Sequence, residues 1–220
     1  EGASFHHNLL AHHSSRTPRL DGSRSIGRWE EELTDLRNNV FYNWGPTNGG
    51  YAGEGGRYNF VNNYYKPGPA TPKNSPVRYR IAAIGVRTKK YCTNADGTSN
   101  AWKPMEHVWG KLYVDGNIIE GNEEVTQDNW TKGIYGQINN ASCDNTFTKN
   151  VKKKMRLSEP LDAGIITTHS AKQAYELVLD QAGCSRQRDA IDIRVIEETR
   201  NGTATYIGSV TKGAESVPGL

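Results

Sequence analysis

Short runs of apolar and aromatic residues recur along the first two thirds of the chain, and each run follows an asparagine. The asparagines that precede these runs are Asn8, Asn39, Asn63 and Asn117. Their spacings along the chain are 31, 24 and 54 residues. A coil of a parallel β-helix takes on the order of 20–30 residues, so this spacing predicts stacked coils with a long insertion in the last interval.

The corners of such coils have a physical reason to carry asparagine. Each predicted strand is short, rich in β-branched or aromatic residues, and ends at Asn or Gly rather than at a two-residue hairpin turn. Asparagine tolerates the left-handed bend, and amides stacked about 4.8 Å apart can bond the amides above and below. The pattern therefore predicts an asparagine ladder; the alternative is that asparagine only marks surface turns.

The pattern changes after about residue 155. Ser170 precedes a helical pattern over residues 171–182 that Gly183 ends, and residues 188–200 form a second amphipathic pattern with Gly202 beyond it. We expect β-helix coils over residues 1–155, with a long insertion at about 66–108, and a helical extension over residues 156–220 that packs on them. Residues 77–86 are expected to form a strand, and the basic run at 152–156 a solvated turn.

Composition excludes several classes of protein. The 27 basic and 24 acidic residues nearly cancel, so there is no large basic field for nucleic acid. No apolar run approaches the roughly 18 residues that a membrane-spanning helix needs. Cys92, Cys143 and Cys184 lie far apart, which excludes a cysteine zinc cluster and leaves one disulfide open.

The richest stretch for chemistry is residues 5–19. It holds four histidines, and a zinc site is one interpretation, although neighbouring side chains on a strand point to opposite faces. Arg16 and Arg19 flank Pro18, which fixes the local backbone bend, so two guanidinium groups can form a fork for carboxylates. The alternative is a pair of surface arginines in ordinary salt bridges.

The segment from Phe5 to Arg19, with His-His-Asn and Ser-Ser-Arg-Thr-Pro-Arg, resembles the pectate lyases of polysaccharide lyase family 1, and in particular a branch common in Bacteroidetes. The resemblance continues through residues 37–45, 56–69, 114–117, 174–183, 188–190 and 201–203. The resemblance therefore covers most of the chain, which is similar to the C-terminal portion of such an enzyme. The order of these motifs is more specific than any one of them.

This resemblance implies a right-handed, single-stranded parallel β-helix with a C-terminal α-helical elaboration. It implies a secreted or periplasmic bacterial lyase of pectin degradation that cuts α-1,4-linked polygalacturonate by β-elimination. In the family, Ca²⁺ bound to a substrate carboxylate acidifies the C5 proton, and the arginine of an Arg-x-Pro motif removes it. Arg16 matches that catalytic arginine, although arginine normally stays protonated; a locally positive site and the metal are the usual resolution.

The chain also departs from the family pattern. The family often carries a second, substrate-binding arginine five positions after the catalytic one, where this chain has Asp21, and Arg19 is our substitute for it. The family's Ca²⁺ ligands lie on coils before this stretch, so the resemblance assigns no metal ligand here and we expect a fragment. An open first coil exposes a strand edge, which we expect self-association or a partner chain to cover.

The candidate substrate-binding residues are Arg19, His12, Tyr42, Trp44 and Arg57. Aromatic side chains can stack on sugar faces and arginines can bind carboxylates, whereas the alternative for Tyr42 and Trp44 is packing in the core. The expected partner is an acidic polysaccharide, with neither nucleic acid nor membrane. The expected function is pectate lyase activity; the alternatives are a truncated, non-catalytic β-helix that only binds acidic polysaccharide or is structural, and a β-helical hydrolase or esterase.

Overall fold

The computed structural model describes residues 2–20, 31–47, 49–137 and 146–207. Most strands are three to five residues long. They are β1 (Gly2–His6), β2 (Leu9–Ala11), β3 (Arg19–Leu20), β4 (Leu33–Arg37), β5 (Val40–Tyr42), β6 (Tyr51–Gly53), β7 (Arg57–Val61), β8 (Tyr64–Lys66), β9 (Ala82–Gly85), β10 (Lys111–Asp115), β11 (Ile118–Ile119) and β12 (Ile134–Gly136). The helices are α1 (Glu123–Gln127), α2 (Asn129–Gly133), α3 (Lys149–Met155), α4 (Ala171–Gln181) and α5 (Ala190–Asn201).

The strands form three parallel sheets, and the chain visits the sheets in turn. Sheet A has the order β1-β4-β7-β10, sheet B the order β2-β5-β8-β11, and sheet C the order β3-β6-β9-β12. Every pairing between these strands is parallel. Three consecutive strands therefore make one coil, and the described residues contain four coils, which we number from coil 1 at β1. The fold is a parallel β-helix, as predicted.

The asparagines line up at the corner between sheets A and B. The side-chain oxygen of Asn39 accepts hydrogen bonds from the backbone N–H of Asn8 (3.1 Å) and from its Nδ2 (2.9 Å). Asn63 accepts the same pair from Asn39, and Asn117 the same pair from Asn63, at 2.9 to 3.1 Å. The predicted ladder is confirmed at the four predicted positions.

The left-handed bend of this corner falls one residue earlier than we expected. The positive φ angles belong to His7 (54°), Asn38 (54°), Asn62 (50°) and Gly116 (68°), each directly before a ladder asparagine. The bend turns the chain from sheet A to sheet B, so that the next residue can direct its amide along the stack. Glycine and asparagine at three of these positions fit the preference of this conformation.

A helix closes the lower end of the ladder. Asn129, at the start of α2, accepts hydrogen bonds through its Oδ1 from the backbone N–H (2.8 Å) and Nδ2 (3.0 Å) of Asn117. Its own Nδ2 donates to the carbonyl oxygens of Asn117 and Val125 at 2.9 and 2.7 Å. A helical residue thus takes the place that an asparagine of a fifth coil would hold.

The interior of the coils is apolar and aromatic. Phe41 and Tyr65 stack in successive coils with ring centroids 4.7 Å apart, and the indole of Trp44 meets Tyr65 edge-on at 6.1 Å. The largest side chains with no more than 2% exposure include Phe60, Ile81 and Leu112. Burial of these side chains supplies the main stabilisation of the stack.

Two local expectations need correction. Residues 77–86 were expected to form one strand, but a 3₁₀ helix covers Pro76–Arg78 and only Ala82–Gly85 is strand. The basic run at 152–156 was expected as a solvated turn, but it belongs largely to helix α3, because Thr148 caps the helix and Met155 buries its other face. Strand β9 also lies within the range 66–108 and completes coil 3.

The C-terminal helices pack on the outer face of sheet B. Helix α4 contacts β5 and β8, and the rings of Tyr64 and Tyr175 lie 4.5 Å apart. Lys66 Nζ donates to the carbonyl oxygen of Arg200 at 3.1 Å. The predicted helical elaboration is confirmed. Among the described residues, no helix is both long and apolar enough to cross a membrane.

The central ladder residue provides a test of the fold. Asn63 is fully buried, and its amide serves Asn39, Asn117 and the carbonyl oxygen of Leu36. The substitution Asn63→Ala leaves buried polar groups without partners, so it should lower the free energy of unfolding by about 3 kcal/mol. Denaturant titration followed by circular dichroism measures this loss.

The matched control is Asn74→Ala, because Asn74 is exposed on a turn. It should change stability by less than about 0.5 kcal/mol. Equal stability losses in the two variants would contradict a structural role for the ladder.

Candidate functional site

The Arg16-Thr17-Pro18 motif lies in the loop that connects sheet B to sheet C in coil 1. The Thr17–Pro18 peptide bond is cis, and Arg16 has the left-handed φ of 52°. The loop rests on the equivalent loop of coil 2 through backbone hydrogen bonds. These run from Gly45 N–H to His13 O (2.9 Å), Thr47 N–H to Ser14 O (3.1 Å), Thr17 N–H to Gly49 O (3.3 Å) and Tyr51 N–H to Pro18 O (2.9 Å). Coil 2 therefore fixes the backbone from which Arg16 projects.

The Arg16 side chain is exposed, whereas its neighbour Thr17 is buried. Within the ranges described above, the Arg16 guanidinium forms no hydrogen bond or ion pair. A guanidinium is always rich in donors and binds carboxylates in a planar, bidentate manner. Arg16 thus presents an exposed cationic group, on a fixed corner, to any anionic ligand that reaches this loop.

Arg19 stands three residues further along the same loop, at the start of β3. Its Cα pairs with that of Tyr51 in β6, and its side chain is exposed. Its neighbour Leu20 packs against the core, so Arg19 faces outward from sheet C. The structure therefore brings Arg16 and Arg19 to one corner of coil 1. Asp21, which occupies the family's position for the second arginine, lies outside the described residues.

His12 takes part in a different contact, with helix α5. Its Nε2 lies 2.9 Å from Oε2 of Glu198, and its Nδ1 accepts a hydrogen bond from Asn43 Nδ2 at 2.9 Å. Both ring nitrogens therefore face protein groups. Burial lowers the pKa of His12 and outweighs the opposing effect of the Glu198 carboxylate. In this arrangement His12 links coil 1 to the helical extension.

Tyr42 and Trp44 lie inside the protein, as predicted by the alternative in which both side chains pack in the core. The Tyr42 hydroxyl donates a hydrogen bond to the carbonyl oxygen of Thr203, under the helical extension. The Trp44 indole N–H donates to the carbonyl oxygen of Val77 at 2.9 Å. Both side chains are at most 3% exposed, so neither ring offers a face to a sugar in this structure.

Arg57 lies at a different corner of the coil. It begins β7, where the chain passes from sheet C to sheet A, and its Cα pairs with that of Lys111. The Arg16 loop instead connects sheet B to sheet C. The structure therefore groups Arg16 with Arg19 and places Arg57, as well as the buried aromatic residues, elsewhere.

The histidines of the N-terminal stretch contact one another. The Nδ1 atoms of His6 and His7 lie 3.0 Å apart, and His7 Nε2 lies 3.0 Å from Nδ1 of His169. In the part of the chain that the structure describes, no three His, Cys, Asp or Glu side chains are arranged to hold a metal ion. These residues therefore do not fit the Ca²⁺ site that the family resemblance implies. Cys92 and Cys184 are free thiols, and Cys143 lies outside the described residues.

Sequence reasoning missed a charged cluster beside sheet C. The Tyr51 hydroxyl donates to Oε1 of Glu54 at 3.1 Å, and that oxygen lies 4.0 Å from Nη2 of Arg87. The buried Arg87 guanidinium lies 4.0 and 4.6 Å from the ring centroids of Tyr91 and Trp102.

Two glycines are the sequence feature that could have revealed this cluster. The ring of Tyr51 lies across Gly53 and Gly85, which pair in register. A Cβ added to Gly85 would stand 2.0 Å from the Tyr51 hydroxyl oxygen. Glycine at both positions therefore makes room for the Tyr51 ring on the outer face of sheet C.

Taken together, the fold and this corner define a parallel β-helix protein with a fixed, exposed arginine pair on one loop. Comparison with curated proteins finds two distant relatives. The chain is 34% identical over 103 residues to a protein named probable pectate lyase C from Aspergillus terreus, an alignment that covers 45% of this chain and 22% of the relative. It is 24% identical over 205 residues to a protein of the same name from Aspergillus flavus, which covers 91% of this chain and 37% of the relative.

These relatives support a pectate lyase-like family for the chain. The chain spans about a fifth to two fifths of the length of the relatives it matches. A scan against protein-family models finds no match.

The burial of three histidines predicts how stability depends on pH. Burial lowers the pKa values of His7, His12 and His13 below the ordinary 6.5, so the unfolded chain binds protons more readily than the folded chain. The free energy of unfolding should therefore be highest above pH 6.5 and decrease as the pH falls below that value. Urea unfolding midpoints between pH 5 and pH 8 measure this decrease.

The variant His12→Gln should show a shallower pH dependence than the wild-type chain, because one of the three titrating groups is gone. Its matched control is Asn74→Ala, which removes no titratable group and should retain the wild-type slope. A midpoint that rises on acidification would contradict the assignment.

Proposed function

We propose that this chain is part of a pectate lyase-like enzyme that cleaves α-1,4-linked polygalacturonate by β-elimination, with Arg16 as the catalytic base. The observation that carries the proposal is the Arg16 corner. The side chain is exposed, the backbone is held by hydrogen bonds to coil 2, and no described carboxylate occupies the guanidinium. The names of the two relatives give the reaction class.

In the reaction that we propose, Arg16 removes a proton from the substrate and solvent protonates the leaving group. The proton on C5 of the uronate moves to a guanidine nitrogen, the C5–H electron pair forms the C4–C5 double bond, and the bond from C4 to the glycosidic oxygen breaks. That oxygen leaves with a proton from solvent. A guanidinium has no lone pair to accept a proton, so the step requires the guanidine nitrogen of Arg16 in its neutral form.

Arg19 completes the proposed site as a substrate-binding residue. It faces outward from sheet C on the loop that carries Arg16, and its charge suits the carboxylate of a neighbouring uronate. The described residues supply no cluster for Ca²⁺, so the proposal assigns no step to the ion. The assay tests whether the activity requires Ca²⁺. The proposal includes a secreted or periplasmic protein of bacterial origin, as the family resemblance implies, whereas the two relatives found are fungal.

The second candidate function is binding of acidic polysaccharide without catalysis. It is favoured by the lack of a three-ligand metal cluster among the described residues. In this case the same cationic corner would hold uronate carboxylates, and the polymer would remain intact.

The test measures unsaturated uronate by its ultraviolet absorbance when the chain is mixed with polygalacturonate, with and without Ca²⁺. Arg16→Ala and Arg16→Lys should lower the rate at least about a hundredfold, since a positioned base contributes roughly 10² to 10⁴. The control Arg186→Ala removes another exposed arginine, in the connection between α4 and α5, and should retain the wild-type rate.

Calorimetry with oligogalacturonate distinguishes the two candidates. Heat of binding without product from the wild-type chain would support the binding function and overturn the catalytic one. Equal rates from the wild-type chain and Arg16→Ala would exclude Arg16 as the base.

A further inference from the structure

The segment that follows α5, residues 203–207, lies beside the end of β5 and the loop after it. The backbone N–H of Thr205 donates to Oε1 of Glu198 at 2.9 Å, which holds the segment against α5. The carbonyl oxygen of Thr203 accepts the hydrogen bond from the Tyr42 hydroxyl of β5. Helix α5 and strand β5 therefore fix the course of this segment, which we call the strap.

The strap contacts the loops that lead from sheet B to sheet C in coils 1 and 2. The Tyr206 hydroxyl donates to the carbonyl oxygen of Gly45 at 3.0 Å, and Asn43 Nδ2 donates to the carbonyl oxygen of Tyr206 at 3.0 Å. Both of these partners belong to coil 2. On coil 1, the Ser14 side chain is a hydrogen-bond partner of the same hydroxyl. One phenol group therefore contacts both loops, and on coil 1 it does so two residues before Arg16.

The partners of Tyr206 also take part in the backbone contacts between the two loops. The N–H of Gly45 donates to the carbonyl oxygen of His13 at 2.9 Å, and the N–H of Thr47 donates to that of Ser14 at 3.1 Å. Tyr206 thus bonds to residues through which coil 2 supports the loop of coil 1. Burial raises the pKa of Tyr206 above its ordinary value of 10, so its hydroxyl keeps its proton and remains a donor at neutral and moderately alkaline pH.

Arg16 needs such support because its backbone conformation is unfavourable. Its φ of 52° lies in the left-handed region, which is costly for a residue with a Cβ atom. A conformation of this kind persists only where the surrounding contacts impose it. Beyond Arg16, the loop is held by the buried Thr17, whose N–H donates to the carbonyl oxygen of Gly49 at 3.3 Å. Tyr206 acts on the other side of Arg16, at the start of the loop.

We propose that Tyr206 is a positioning residue for Arg16. Its hydroxyl joins the starts of the coil 1 and coil 2 loops, so that Arg16 keeps one backbone geometry, as proton removal by a positioned base requires. Tyr206 acts through Ser14 and Gly45 and is assigned no contact with the substrate. The role assigned to Tyr206 rests on the proposed function of Arg16.

The kinetic test compares Tyr206→Phe with the wild-type chain on polygalacturonate. The substitution keeps the ring and removes only the hydroxyl. It should lower kcat about tenfold and leave KM within about twofold, because the groups that bind carboxylates remain and only the placement of the base changes. An unchanged kcat, or a rise in KM alone, would overturn the positioning role.

The matched control is Tyr175→Phe. It removes another hydroxyl of the helical extension that donates to a backbone carbonyl oxygen, that of Thr199 at 3.4 Å. This variant should retain the wild-type kcat, since its hydroxyl contacts neither loop. An equal loss of kcat in both variants would show that any loosening of the helical extension lowers the rate, which also overturns the specific role of Tyr206.

Hydrogen exchange followed by nuclear magnetic resonance tests the positioning role without any activity. In Tyr206→Phe, the amides of Thr17 and Thr47, which bridge the two loops, should exchange about tenfold faster than in the wild-type chain. The amide of Ala83, which donates to Gly50 within sheet C, should exchange at the wild-type rate. If the wild-type chain does not cleave polygalacturonate, the catalytic proposal fails, and exchange alone decides whether Tyr206 holds the loop. Equal exchange of Thr17 and Thr47 in the two proteins would overturn the positioning role.

Discussion

The hydrogen bonds of the asparagine ladder are the constraint on which the rest of the structure depends. Each buried amide has one oxygen that accepts two N–H groups and one nitrogen that donates downward to the next oxygen. A buried amide without these partners is costly, so a coil can stack only with its own asparagine directly above or below the next. This requirement fixes the register of coils that have loops of very different lengths.

The same register positions the parts that lie outside the ladder. The residues before the ladder form a second row, in which Asn38 and Asn62 both donate to the carbonyl oxygen of His169 at 2.7 and 2.9 Å. The segment that leads into α4 is therefore held by the corner itself. On the far side of sheet B, the coil 2 loop supports the Arg16 loop. One repeating corner thus places both the helical extension and the candidate site.

How far the sequence predicted these features depends on the range of the interactions. Asn8, Asn39, Asn63 and Asn117 were predictable because each lies in the same local pattern, and the requirement to satisfy a buried amide acts on every coil alike. The contact of His12 with Glu198 joins residues far apart in the chain, and no local pattern marks it.

Tyr42 and Trp44 illustrate a second reason why some features could not be predicted from the sequence. Sheet B is covered on its inner face by the core and on its outer face by α4, and Lys66 of β8 also donates to a carbonyl oxygen of α5. Alternation of polar and apolar residues therefore does not separate the two faces. Phe41 and Tyr65 point into the core and Tyr42 points to the helical extension, yet all three are buried. Only the position of the helical extension, which depends on the whole stack, shows that Tyr42 is covered.

The position of Arg16 in the stack shows what holds the candidate site. Arg16 and Arg19 belong to coil 1, whose backbone is supported from below by coil 2 but from above by no described residue. Since catalysis by a positioned base requires a fixed geometry, the backbone hydrogen bonds from coil 2 are the part of the structure that positions the Arg16 loop. The ladder joins coil 1 to coil 2 in a fixed register and therefore determines where the arginine lies.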